Sequence, residues 1–226
     1  MTKAARVRLL ERAAGCYEQS GLPLDAARCR EAAGTPLAAA RLYEQAQDLE
    51  QAARCYDAAN APEQAVSCYL RLGLPDKASA CWERAGDRLA AGWVLVTSAR
   101  RFKHARWLLG AGQPPADSRS LRRAVACGLC GALDERDPDE LLTALSRVER
   151  ELASIVPASE RASTVSWAVQ AADLIGRHDL AAQVFAAAYR AGDRRVLDGW
   201  RDWAQQALGG TAGIPTGTVP TPRTGS

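Results

Sequence analysis

Residues 52–86 read AARCYDAANAPEQAVSCYLRLGLPDKASACWERAG, and laid over itself at an offset of thirteen residues this stretch repeats one pattern three times. Ala52, Ala65 and Ala78 open the copies. Cys55, Cys68 and Cys81 stand three places on, Tyr56, Tyr69 and Trp82 come next, and Asn60, Gly73 and Gly86 close them. Earlier copies start at Ala39, Ala26 and Ala13. Decayed copies follow from Ala91 and from His104, where Ala105 and Trp107 keep the pattern. A fixed period of this kind means that one structural unit stacks on copies of itself.

Within a copy the apolar positions fall at i, i+3, i+4 and i+7, as in Ala52, Cys55, Tyr56 and Ala59, which is one stripe of an α-helix. Gly21, Gly34, Gly73 and Gly86, with Asn60, follow the stripe where a helix ends on a residue that tolerates positive φ. Pro23, Pro36, Pro62 and Pro75 come two residues later, where the missing N–H of proline has no helical partner to lose. Helices of about ten residues are too short to hold in water alone. They must stack, and links of two or three residues force successive helices to run antiparallel. The expectation is an all-α chain: a right-handed α-solenoid of short antiparallel hairpins. Arg28 with Glu31, Arg41 with Glu44, and Arg54 with Asp57 read as i, i+3 ion pairs on its solvated face.

Beyond residue 112 the segment Gln-Pro-Pro-Ala-Asp-Ser interrupts the pattern, and longer helices are expected over 118–133, from Asp137-Pro138 onward, and over 159–175, 179–189 and 193–207. The chain divides into a short-helix repeat (1–112), a longer-helix region continuous with it (113–208) and a Gly/Thr/Pro-rich tail (209–226) expected to be disordered. The spacing A-x-x-x-[FY]-x-x-A at Ala39-Tyr43-Ala46, Ala52-Tyr56-Ala59 and Ala181-Phe185-Ala188 is similar to the second helix of a tetratricopeptide repeat. Over roughly residues 4–207 the chain resembles the tetratricopeptide and clathrin-type α-solenoids. That resemblance implies an architecture and protein binding, and no substrate. The first half departs from the tetratricopeptide period, so that family's ligand groove does not transfer by position.

Composition narrows the function. The net charge of +3 falls short of a dedicated nucleic-acid binder, and no apolar run is long enough to span a bilayer. Arginine greatly outnumbers lysine, which with the abundant alanine points to a high-GC bacterium. The charged start, Met-Thr-Lys-Ala-Ala-Arg-Val-Arg, lacks the apolar segment of a secretory signal, and seven cysteines on helices read as reduced thiols, so the cytoplasm is expected.

Cys16, Cys29, Cys55, Cys68 and Cys81 share one repeat position that Leu42, Val94 and Trp107 fill elsewhere, which argues for packing rather than a metal ladder. Cys127-Gly-Leu-Cys130 lacks a second pair, His104 and His178 lie in no nucleophile motif, and no phosphate-binding glycine loop is present. No catalytic residue, metal or cofactor is assigned. The tyrosine row Tyr17, Tyr43, Tyr56 and Tyr69, continued by Trp82, reads as core packing with polar tips at the rim.

The function expected is a non-catalytic protein–protein interaction scaffold or adaptor, or the sensing and regulatory subunit of a larger bacterial assembly, acting on a protein or peptide partner. A self-assembling structural repeat is the alternative reading. A nucleic-acid module resting on Arg100, Arg101, Lys103, Arg106, Arg119, Arg122 and Arg123 is a weaker one. Trp93, Arg101, Arg106 and Trp107 are the candidate partner contacts, because the repeat decays there and Trp93 replaces the usual polar residue of the outer face.

Overall fold

The computed structural model describes residues 2–110, 118–210 and 213–215, with Ser118 described by its backbone only. The interrupting segment at 113–117 and most of the 209–226 tail lie outside the described residues. The chain forms two compact units, Met1–Leu108 and Leu109–Ser226. Among the described residues it is all-helical, with thirteen α-helices and no strand. None of these helices is long and apolar enough to cross a membrane.

The first unit is written by the thirteen-residue period. Helix α1 spans Lys3–Gln19, and five ten-residue helices follow: α2 Pro23–Ala32, α3 Pro36–Gln45, α4 Leu49–Ala58, α5 Pro62–Arg71 and α6 Pro75–Arg84. Each packs on its immediate neighbours in sequence. The links explain the regularity. Gly21, Gly34, Gln47, Asn60, Gly73 and Gly86 all hold positive φ, between 54° and 83°, thirteen residues apart. The N–H of each following residue reaches back five places, as from Leu22 to the Tyr17 carbonyl at 2.9 Å and from Leu74 to Tyr69 at 2.9 Å, closing a Schellman turn at every helix end. Proline opens α2, α3, α5 and α6, while Asp48 caps α4 by accepting from the Gln51 N–H at 3.2 Å.

Gln47 is the turn position that sequence reading passes over, since nothing in a glutamine announces positive φ. A side chain with a Cβ pays roughly 1–2 kcal/mol in that region, against the larger unfolded-state entropy of glycine. Gln47→Gly is therefore expected to raise the stability of the chain by about 0.5–1 kcal/mol, read as a rise in the urea midpoint. An unchanged or lowered midpoint would count against the turn geometry.

The buried stripe is wider than the one read from sequence. Ala26, Ala39, Ala52, Ala65, Ala78 and Ala91 are fully buried, and so are the next residues Ala27, Ala40 and Ala53, with Val66 and Ser79 nearly so. A helix enclosed between a predecessor and a successor has two contact faces, so i and i+1 are both covered. Small residues at both places let the short helices approach closely enough to stack.

The period slips at α7, Arg88–Val94, which runs on into a π-helical turn, Leu95–Ala99. The wider turn takes up one extra residue, so the next positive φ falls at Arg100 rather than at 99, and α8 (Phe102–Gly110) starts one place late. After the slip the position of Cys55, Cys68, Cys81 and Val94 is held by Leu108, 1% exposed. Trp107 is not at the cysteine position as the unslipped register has it. It stands instead where Arg54, Ser67 and Ala80 stand, on the outside.

In the second unit α9 (Ser118–Asp134) pairs with α10 (Asp139–Glu151), and α11 (Ala158–Leu174) pairs with α12 (His178–Arg190). The hairpins stack with α9 on α11 and α10 on α12, and α13 (Val196–Ala207) packs on α12. The expected boundaries stand within three residues except at the end of α10, which stops at Glu151 although Leu152 and Ile155 continue its apolar spacing in the sequence. Among the helix starts the largest shift is at α13, because the Asp193 carboxylate accepts the Arg195 N–H at 3.2 Å and holds a turn where a helix start is expected. At α10 the Asp137 carboxylate takes the Asp139 N–H at 3.0 Å.

Candidate partner-binding surfaces

The carboxylates of the repeat do not spend themselves along their own helices. None of the pairs Arg28–Glu31, Arg41–Glu44 and Arg54–Asp57 forms among the described residues. Glu31 accepts the Tyr43 hydroxyl at 2.8 Å, and Glu44 accepts the Tyr56 hydroxyl at 2.9 Å and an Arg71 N–H at 3.0 Å. Asp57 takes Arg84 and the Cys81 thiol, the latter at 3.3 Å. Each acid thus serves a tyrosine one repeat later, or a cysteine and an arginine two repeats later. The physical reason is burial: a hydroxyl carried into the stack needs an acceptor more than a solvated arginine needs a partner.

Burial, then the facing carboxylate, pushes the hydroxyls of Tyr43 and Tyr56 up to about 12 and the Cys81 thiol up to about 11. Cys55 and Cys68 are buried and shifted upward for the same first reason. These cysteines are protonated packing groups, as the interchange with leucine and valine implies. Among the described residues no three His, Cys, Asp or Glu side chains gather as a metal site.

The candidate contact residues separate. Trp93 is buried, 7% exposed, inside a run from Ala91 to Val96 that is buried at every position. It is not on the outer face, because the stretch from Ala91 to Val96 is enclosed all round where the regular repeat leaves one side wet. Arg101, Arg106 and Trp107 are exposed. Trp107 is 60% exposed, the Arg88 guanidinium sits 5.5 Å from its ring centroid, and the His104 ring lies 5.9 Å away. Arg101 faces Asp76 at 3.6 Å, and His104 faces Glu83 at 3.8 Å. Arg88 and His104 are the members of this surface that sequence reading missed, since only the one-residue slip brings Trp107 out beside them.

The arginines of the wider basic stretch fall in both units. Arg122, in the second, is largely buried: its guanidinium lies 5.5 Å from the Trp167 ring centroid and is paired with Glu160. It is a structural cation.

No family model, curated protein or solved structure matches this chain. Its surfaces therefore have to be read from their own chemistry.

The second unit carries a groove of about 650 Å³ between α11 and α13, floored by Phe185 of α12 and walled by Val165, Val169, Val196, Gly199 and Trp203. At one end the Asp173 carboxylate accepts the Trp203 indole N–H at 2.7 Å and faces His178 at 3.1 Å. Phe185, Trp200 and Trp203 cluster with ring centroids 5.3–5.5 Å apart, which fixes the groove wall. The sequence predicts a helix over 193–207 but has no means of opening a groove beside it.

Proposed function

We propose that this protein is a non-catalytic interaction scaffold: a helical-repeat α-solenoid of the tetratricopeptide-like kind that works as an adaptor, or as the sensing and regulatory subunit of a larger bacterial assembly in the cytoplasm. The observation that carries the reading is Trp107, an indole left 60% exposed on the first unit with the Arg88 guanidinium 5.5 Å from its ring centroid, in a stretch where Arg101 and Arg106 are exposed too. Tryptophan and arginine are the residue types most enriched among the hot spots of protein interfaces, and burying a large exposed indole is a gain that only a partner can supply. Arg106 and Trp107 stand on α8, and Arg88 stands on α7, whose first turn the Asp87 carboxylate caps by accepting the Ala90 N–H at 3.0 Å, so the backbone needs little ordering on binding. A protein segment that sets carboxylates beside an apolar side chain fits this surface.

The test is affinity capture from the native lysate, comparing wild type with an Arg101→Ala/Arg106→Ala/Trp107→Ala variant of verified helicity. A stoichiometric partner is expected with wild type and, at about 2 kcal/mol or more per hot-spot residue, to be lost from the variant. An identical retained set from both proteins would sink the proposal for this surface. Trp93 is left out of the variant because its removal would open the core.

A further inference from the structure

We propose that the pocket between α4 and α6 in the first unit binds a small organic carboxylate, which takes the place that a glutamate of the chain itself takes in the repeats before it. The site is separate from the Trp107 surface and does not depend on the scaffold reading.

The acids of the repeat set a pattern that breaks at this point. Glu18 accepts from Arg30 at 2.8 Å, Glu31 from the Tyr43 hydroxyl at 2.8 Å and Glu44 from the Tyr56 hydroxyl at 2.9 Å, each bond linking residues twelve apart. The next acid in the series is Asp57, whose side chain is one methylene shorter. Its carboxylate turns to Arg84 and the Cys81 thiol, and the hydroxyl of Tyr69, twelve places on, makes no hydrogen bond among the described residues. Tyr69 is nonetheless buried, at 6% exposure. Hydroxyls carried into a protein interior are paired as a rule, so this one wants an acceptor from outside the chain. Burial raises the Tyr69 hydroxyl above its ordinary value. The groups that act on it next are Asp57 and Cys81, which raise it further, and Arg84 and Arg54, which lower it; all four line the pocket.

The pocket holds about 400 Å³, a volume within the range of small-ligand sites. Arg54, Asp57, Asn60 and Arg84 form its polar side, and Ala58 and Pro62 give it an apolar one. Two guanidiniums stand there against one carboxylate. The Cys81 thiol, pushed up to about 11 by burial and then by Asp57, adds no charge near neutral pH, so one positive charge is left over. The Asp57 charge opposes an incoming anion and is offset by Arg84, which binds it. An arginine has five N–H donors. Arg54 gives one to Gln51 at 3.0 Å, and Arg84 meets Asp57 through one nitrogen, so both keep donors for a ligand. Glu44 shows which anion fits: one of its oxygens takes the Tyr56 hydroxyl and the other takes Arg71. A ligand carboxylate set between the Tyr69 hydroxyl and the guanidiniums makes the same pair of bonds, with its carbon chain on Ala58 and Pro62.

Titration of the full chain with sodium butyrate, followed by backbone amide and arginine side-chain NMR shifts and compared with sodium chloride at equal concentration, tests this. Saturable shifts confined to residues 54–62, 69 and 81–85 are expected with butyrate only, at a Kd on the order of 1 mM. Asp57→Glu lets the chain's own carboxylate reach Tyr69, so butyrate binding is expected to weaken about tenfold or more while the urea midpoint rises. Arg54→Gln, at an exposed site, is expected to weaken binding about tenfold with the midpoint unchanged, whereas Arg41→Gln, its exposed counterpart one repeat earlier, leaves binding as it is. Absence of a saturable shift, the same shifts with chloride, full binding by Asp57→Glu, or equal losses in Arg54→Gln and Arg41→Gln would each overturn the proposal. Saturation by a glutamate-containing peptide and not by butyrate would overturn the assignment to a small molecule.

Discussion

Replacing Gly128 by alanine is expected to destabilise the second unit, although alanine is the better helix former. Gly128 lies in the middle of α9, where a Cβ would stand 2.6 Å from both the Cα and the N of Leu141 on α10. Those atoms are backbone, so no rotamer change relieves the contact and the two helices must move apart. Alanine in place of glycine gains up to about 1 kcal/mol of helix propensity. Overpacking a tight core costs about 1–3 kcal/mol and more where only backbone can yield, so the clash wins. A net loss of about 1–3 kcal/mol is expected for Gly128→Ala, and a larger one for Gly128→Val. Gly131, one turn further along α9, is the internal control. Its nearest neighbours to an added Cβ are the Asp137 carbonyl oxygen at 3.7 Å and the Glu140 carboxylate at 3.9 Å, ordinary contacts. Gly131→Ala should therefore raise stability by up to about 1 kcal/mol. Urea unfolding of both variants reads the two signs, and two shifts in the same direction would refute the close approach of α9 and α10.

Removing the Tyr56 side chain is expected to cost the first unit about 3–5 kcal/mol, the usual range for taking an aromatic residue from a core to alanine. Tyr56→Phe separates the ring from its hydroxyl. It deletes the 2.9 Å bond to Glu44 but keeps the packing, and a loss of about 1.5–3 kcal/mol is expected for a hydrogen bond to a charged acceptor. Glu44 retains Arg71, which holds the Phe variant toward the low end of that range. Alkaline titration probes the same bond without a mutation. The Tyr43 and Tyr56 hydroxyls are raised from 10.0 to about 12, so the folded state keeps protons that the unfolded state releases. Their contribution is complete below about 10 and is lost as pH climbs through about 12. Stability falling across that window, with phenolate absorbance of these two residues appearing only at its top, is the expected result. Equal stability of Tyr56→Phe and wild type would show that the ladder of tyrosines and acids contributes packing alone.

The tyrosine–carboxylate ladder also shows how far a linear pattern can be pushed. The row of Tyr43, Tyr56 and Tyr69 is legible as core with a polar tip, because a large amphipathic ring between buried alanines has few other places to go. Which carboxylate takes a tyrosine tip, and which a cysteine or an arginine, is not legible. Glu31, Glu44 and Asp57 stand three residues from an arginine on their own helices, and that local pairing is the natural reading until helices one and two repeats away are brought beside them. In the same way Cys127-Gly-Leu-Cys130 is readable as packing, but not that Gly128 between the cysteines is the point where α10 crosses. The groove beside Trp203 depends on how α13 leans on α11 and α12, which no periodicity encodes.

By itself the sequence determined the helices of the repeat, their ends and their period, because those depend on local physics. Glycine and asparagine admit positive φ at the links, proline opens the first turn, and an apolar stripe at helical spacing has to be buried against a neighbour. Only the tertiary structure decided which partner each acid takes, where the period slips by a residue, and on which side of the protein surface two tryptophans end. Trp93 and Trp107 occupy the same repeat position once the π turn is counted, yet one is buried and the other exposed. A side chain's exposure is set by what packs around its helix, and that is a property of the neighbours rather than of the helix.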